Sequence, residues 1–302
     1  QEIVRFNSKN PFGLRDIIKH YDSLPNQEVY GVLTMPIEKN GNKVPLIVAH
    51  AGSGNWANHH KEYLEMYTDN GFATLAVHSF DSRGVASTVG EQISCTTPMM
   101  ILDSFKALEA LSADSRIDTD RAGITGWSLG GGVALFTAWD PIQKFISPDI
   151  KFAAHLPIYP PCIFKPETMT FTGSPIKVLI GELDDWVPAD QCIDLVDSIN
   201  KNNIAMSAEV IVYPGAHHSY DSTRKLSYRE NAYSVIDCNL TVQDDGSVYN
   251  SSNGFPMTTP VLQRIGLFFC AERGTHWGYT DSDTKALSMS DALDFMSSNL
   301  LY

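Results

Sequence analysis

No stretch of this chain approaches the roughly 18 apolar residues of a membrane-spanning helix. Basic residues are scarce. Against 35 Asp and Glu stand only 22 Lys and Arg, a formal net charge of −13. Nucleic-acid phosphates are neutralised by clustered Lys and Arg, so the balance argues against a nucleic-acid partner. It also disfavours a polyanionic substrate, leaving a local cation such as Arg83 as the means to hold a single carboxylate. The five cysteines include no C-x-x-C pair, so the usual zinc spacing is missing and no metal is expected. Asp244-Asp245-Gly246 lacks the remaining ligands of a calcium loop and reads as a turn. Internal repeats, low-complexity tracts and linkers are also missing. What remains is 43% hydrophobic and 19% charged, the ordinary composition of a soluble enzyme, in a length that one α/β domain fills.

Strand-like runs at 29–35, 44–49, 72–78, 152–159, 176–181 and 207–213 alternate with helical patterns at 59–69, 97–112, 129–138 and 189–200. In 97–112, Met100, Leu102, Phe105, Leu108 and Leu111 form a helical apolar stripe. The run 29–35 reads as an early antiparallel strand, and 288–301 as a closing helix. Such alternation gives a mostly parallel sheet with helices on both faces. His59 and His60 read as a helix surface rather than a metal site. Residues 220–282 stand outside the alternation and include a hairpin pattern around Asp245-Gly246. The whole of 1–302 therefore reads as one domain carrying an insert, a pocket wall or lid.

Gly126-Trp127-Ser128-Leu129-Gly130 follows the apolar run Ala122-Gly123-Ile124-Thr125 and precedes a helical pattern. This is a nucleophile elbow: a sharp strand-to-helix turn that projects a serine beside free helix N–H groups. The competing reading of Ser128 is a helix N-cap. A serine hydroxyl needs a base, and the base needs an orienting acid. Carboxylates follow the 176–181 strand in Gly181-Glu182-Leu183-Asp184-Asp185-Trp186. Histidines follow the 207–213 strand in Pro214-Gly215-Ala216-His217-His218. The order Ser, Asp, His is that of α/β-hydrolases. The residues alone leave open which of Asp184 and Asp185, and which of His217 and His218, takes part.

These three motifs, together with Val77-His78-Ser79-Phe80-Asp81-Ser82-Arg83-Gly84, resemble the dienelactone hydrolase branch of the α/β-hydrolases over roughly residues 29 to 220 and the last helix. The resemblance implies an α/β-hydrolase fold and selects Ser128, Asp184 and His218 as triad. It leaves Asp185 a loop or cap residue and His217 a neighbour. Founding members carry a cysteine nucleophile where this chain has serine, which makes a conventional acyl-enzyme. His50-Ala51-Gly52-Ser53-Gly54-Asn55 resembles the family's His-Gly-x-x loop. That places an oxyanion donor at the N–H of Gly52 or Ser53, with Gly52 preferred, beside that of Leu129. His50 itself reads as structural.

The expected function is hydrolysis of a small carboxylic ester or lactone, with neither cofactor nor metal. Arg83, Trp127 and Trp186 lie near the motifs and are expected to shape the acyl pocket. The alternatives are an acyltransferase with the same triad and a non-catalytic binding protein on the same fold. Cys162 and Cys192 fall at one edge of adjacent strands, and Cys238 and Cys270 bracket the insert. Two disulfides with Cys95 free are expected, and with them a periplasmic or secreted protein. A cytosolic enzyme with five buried thiols is the alternative. Gln1 in place of Met fits signal-peptide removal and fits trimming equally well.

Overall fold

The computed structural model describes residues 1–37, 43–279 and 281–301. An antiparallel pair opens the chain, Glu2–Lys9 (β1) and Asn26–Thr34 (β2), with the helix Leu14–His20 (α1) between them. Strands and helices then alternate: Val44–His50 (β3), Asn58–Asp69 (α2), Ala73–Val77 (β4), Thr97–Leu111 (α3), Ile117–Trp127 (β5) and Leu129–Phe136 (α4). Asp140–Ile146 (α5) and Ala154–Ile158 (β6) follow, then the short Phe164–Pro166 (β7). Ile176–Gly181 (β8), Ala189–Asn202 (α6) and Ala208–Tyr213 (β9) complete the pattern. Eight strands form one sheet in the order β1-β2-β4-β3-β5-β6-β8-β9. It is antiparallel at β1/β2 and β2/β4 and parallel from β4 across to β9.

The central strands are apolar on both faces, as a covered parallel sheet requires. Leu46, Ile47, Val48 and Ala49 of β3 are wholly buried. Two glycines of β5 show what covers it. A Cβ on Gly123 would meet Leu300 and Met296 of the last helix, Ser282–Leu300 (α8). A Cβ on Gly126 would meet Gly130 of α4. Three residues apart on a strand, these positions face opposite ways, so α8 and α4 cover opposite faces. α2 packs beside α8, and α3 beside α4. The expected two-faced architecture is the observed one.

Between β9 and α8 lie Ser227–Ser234 (β10), Leu240–Val242 (β11), Val248–Asn250 (β12), Pro260–Phe268 (α7) and Glu272–Trp277 (β13). β11 and β12 form the expected hairpin, turning at Gly246 with φ +81°. β11 also pairs with β7, and β10 pairs with β13. Ile163, Cys238, Leu240 and Met257 make a second, smaller apolar core under this region. Disulfides join Cys162 to Cys192 and Cys238 to Cys270, while Cys95 is free and buried. Among the described residues no helix is long and apolar enough to cross a membrane.

His59 and His60 do not form a helix surface. Both are buried. The His60 Nδ1 accepts the Ala57 N–H at 3.1 Å, capping α2, and its ring stacks on Trp127 at 4.4 Å. Burial depresses the pKa of both imidazoles.

Candidate active site

The elbow is built from close backbone approaches. A Cβ on Gly126 would lie 2.2 Å from the Gly130 oxygen, and one on Gly130 would lie 2.2 Å from the His50 oxygen. Neither site admits a side chain. Ser128 itself sits at φ +54°, ψ −114°, a region L-residues rarely occupy. Its hydroxyl makes no cap bond to α4, although the residue stands at the N-cap position. The Oγ lies instead 3.0 Å from His218 Nε2. The hydroxyl is thus turned to an imidazole and not to the helix it precedes.

His218 follows β9 on the loop the sequence placed it on. Its Nδ1 is 2.7 Å from Asp184 Oδ2. The other Asp184 oxygen accepts the N–H groups of Trp186 at 3.0 Å and Val187 at 2.9 Å. A carboxylate only accepts, so Nδ1 carries the proton and Nε2 is left to accept from Ser128. The imidazole is wedged between Tyr159 at 4.8 Å and Trp186 at 4.7 Å. Both side chains of the His218–Asp184 pair are closed to solvent.

The 50–55 loop packs directly on the elbow. A Cβ on Gly52 would come within 3.1 Å of the Trp127 oxygen and 3.5 Å of Ser128 Cβ. The Ser53 oxygen accepts from Thr88 N at 2.8 Å and Ser87 Oγ at 3.0 Å, which braces the loop. Leu129 opens α4, where the first N–H groups have no intrahelical partner. A cavity of about 160 Å³ lies against Ser128, Ser53, Leu129 and Trp186.

A family model for dienelactone hydrolases matches residues 30–237. The chain belongs to the dienelactone hydrolase family. Among structures, a candidate dienelactone hydrolase from Klebsiella pneumoniae subsp. pneumoniae MGH 78578 superposes with a TM-score of 0.57 at 13% identity, covering 98% of this chain and 99% of that one. The dienelactone hydrolase-like promiscuous phosphotriesterase P91, from metagenomic libraries, gives 0.56 at 16% identity and 99% coverage of both chains. A thermophilic esterase of Thermogutta terrifontis gives 0.50 at 15% identity, covering 64% of this chain and 81% of that one. At these identities the likeness is one of fold. No curated protein matches the sequence.

Two residues expected in the pocket of this dienelactone hydrolase family member lie elsewhere. The Arg83 guanidinium is paired with the wholly buried Asp103 at 2.7 Å and 3.0 Å. Its remaining bonds go to Asn10 Oδ1, Lys9 O and Ser79 O, so every arm is engaged inside the fold. The physical reason is charge pairing: a buried carboxylate demands a partner. Trp127 is fully buried behind the elbow, against His60, Tyr63 and Trp56. It alternates with Ser128 and points away from the cavity. Trp186 alone of the three lines it.

The neighbours Asp185 and His217 take no part in the Ser128 contact. Asp185 accepts from Thr275 Oγ1 at 2.6 Å and His276 N at 2.8 Å, and its other oxygen meets His276 Nδ1 at 2.7 Å. Partial burial opposes its ionisation, but these bonds hold its pKa below the usual value. It ties the loop after β8 to β13. Sequence reading missed Tyr159, which sits at φ +36° and donates to the buried Asp221 at 2.9 Å while its ring flanks His218. Burial and Asp221 push its phenol well above the usual range. Its signal was an aromatic at a strand's C-terminal end, in the Tyr159-Pro160-Pro161 run. Among the described residues no three His, Cys, Asp or Glu side chains come together in a way that could hold a metal ion.

Proposed function

We propose that this protein is a serine hydrolase of carboxylic esters or lactones acting through an acyl-enzyme. The observation that carries the reading is the continuous contact from Ser128 Oγ to His218 Nε2 and from His218 Nδ1 to Asp184, opening onto a cavity. In this reading His218 takes the Ser128 proton as the oxygen attacks the ester carbonyl. Asp184 holds the ring and stabilises the imidazolium. The N–H of Leu129 and that of Gly52 or Ser53 receive the oxyanion, at the positive end of α4. The alcohol leaves with the His218 proton, and water then cleaves the acyl-enzyme by the same route. Trp186 packs on both base and cavity and sets where the acyl group lies.

The two disulfides favour an oxidising compartment, and an exported protein fits them. The test is labelling by a fluorophosphonate with turnover of p-nitrophenyl esters. Wild type is expected to react at Ser128. Ser128→Ala is expected to lose the label and several orders of magnitude in kcat/KM while keeping its thermal transition. Retained turnover in the variant would overturn the proposal. Product analysis with added alcohol separates hydrolysis from acyl transfer, and hydrolysis is the expected result.

A further inference from the structure

The cavity beside Ser128 has two walls of different origin. On one side stand Ile101 of α3 and Phe136 of α4. On the other stand Leu240, Val242, Val248 and Met257, all supplied by residues 220–282. Every described residue lining it is uncharged: no Lys, Arg, Asp or Glu is among them. Arg83, the cation suited by sequence to a substrate carboxylate, is consumed by Asp103. Arg264 and Arg273 belong to a neighbouring depression that they share with Glu91. A carboxylate drawn into the cavity would be desolvated with no cation to pair with, a severe cost. The volume, about 160 Å³, is close to that of an apolar cavity that takes a benzene-sized guest, roughly six carbons.

We infer that the substrate is an uncharged ester with one apolar arm of about six carbons, and that the 220–282 insert sets this preference. The inference rests on the serine-hydrolase reading and refines it to a substrate class. An arm entering the cavity leaves the ester at the Ser128 hydroxyl and the rest of the molecule towards solvent. The hairpin β11–β12 sets the far limit, because Leu240 packs into the second core and Val242 into the main one, both buried, and neither can retreat. Each methylene moved from water into the cavity strengthens binding about four-fold.

The test is a pair of homologous series assayed by kcat/KM. One varies the acyl chain from p-nitrophenyl acetate to decanoate, and the other varies the alcohol of alkyl acetates from methyl to decyl. A third substrate, p-nitrophenyl hydrogen adipate, matches the hexanoate with a terminal carboxylate. In one of the two series a maximum near six carbons is expected, from ten-fold to about two hundred-fold above the shortest member. If the acyl series carries the maximum, the adipate is expected to be at least a hundred-fold poorer than the hexanoate. Val248→Phe, at a half-buried position, is expected to lower the ratio of six-carbon to two-carbon turnover about ten-fold in the series with the maximum. Flat or shortest-best profiles in both series would overturn the inference, as would, with the maximum in the acyl series, adipate within three-fold of hexanoate. If the fluorophosphonate still labels Ser128 in that case, the serine reading survives alone. Failure of both labelling and turnover removes both.

Discussion

Ser128 occupies a backbone conformation that costs about 1–3 kcal/mol, and its surroundings must sustain it. They do so through Gly126 and Gly130, whose missing side chains let β5, α4 and the 50–55 loop touch. The partners of that serine separate cleanly from their sequence neighbours. Asp184→Asn and His218→Ala are each expected to lower kcat/KM on the order of 10⁴-fold. His217→Ala is expected to stay within ten-fold of wild type, and Asp185→Asn to lose less than Asp184→Asn. Steady-state assay of the four variants checks the ranking, and a reversed order within either pair would move that assignment by one residue. Chain order, strand ends and glycine spacing narrowed the three contacting residues to Ser128 and two adjacent pairs, and only the family resemblance selected Asp184 and His218 within them. Arg83 and Trp127 were misread because nearness along the chain says nothing about which way a side chain points. Arg83 turns inward to Asp103, and Trp127 lies on the opposite side of the strand from the cavity.

Among the elements, the parallel strands and their helices were visible as buried apolar runs and a 3.6-residue stripe. β1, α1 and α5 were not. β1 reads Glu-Ile-Val-Arg-Phe-Asn-Ser-Lys and buries only Phe6 and Ser8, so an edge strand leaves little periodic signal. α1 and α5 have seven residues each, too short for two full apolar turns. The insert's hairpin was recognisable by its Asp-Gly turn, but β10 and β13 are irregular in register and gave none. The Cys162–Cys192 pair was suggested by where the strand ends fall, and Cys238–Cys270 by their bracketing the insert. Cys238 and Cys270 close a loop of 32 residues, which the chain-entropy model values at about 3–4 kcal/mol. The double substitution Cys238→Ser, Cys270→Ser is expected to lower the melting temperature and to raise hydrogen exchange in 227–277 before the sheet. Equal protection of the insert in both proteins would show that the bridge is not what holds it. Cys95 is expected to resist alkylation in the folded protein, because burial raises its thiol to about 12.

The whole molecule carries imidazoles that fold in the neutral form. Burial lowers His50 and His155 to about 4. In the unfolded chain each titrates at its ordinary value near 6.5. As pH falls from about 6.5 to about 4, the unfolded chain binds protons that the folded one refuses. Stability is therefore full above that window and is lost through it, at about 1.4 kcal/mol per pH unit for each histidine. Repulsion among the excess carboxylates relaxes only as they titrate, mostly below the window. The melting temperature is thus expected to fall between pH 7 and pH 4.5, and a flat profile in calorimetry would contradict this account. His50→Gln is expected to make the decline shallower. Sequence reading saw His50 only as a structural loop residue, and it read a strand over 152–159 without singling out His155, because a strand pattern does not show how completely one polar side chain on it is buried.

The insert does more than wall a cavity, because it grips both loops that reach the serine. Gly278 N donates to the His218 oxygen at 2.8 Å, Val235 N donates to the Trp186 oxygen at 3.0 Å, and Asp185 is bound by Thr275 and His276. Warming that frees β10 and β13 would release the loops carrying His218 and Asp184 while the eight-stranded sheet still stands. Turnover is then expected to peak and decline several degrees below the calorimetric transition, and to recover on cooling.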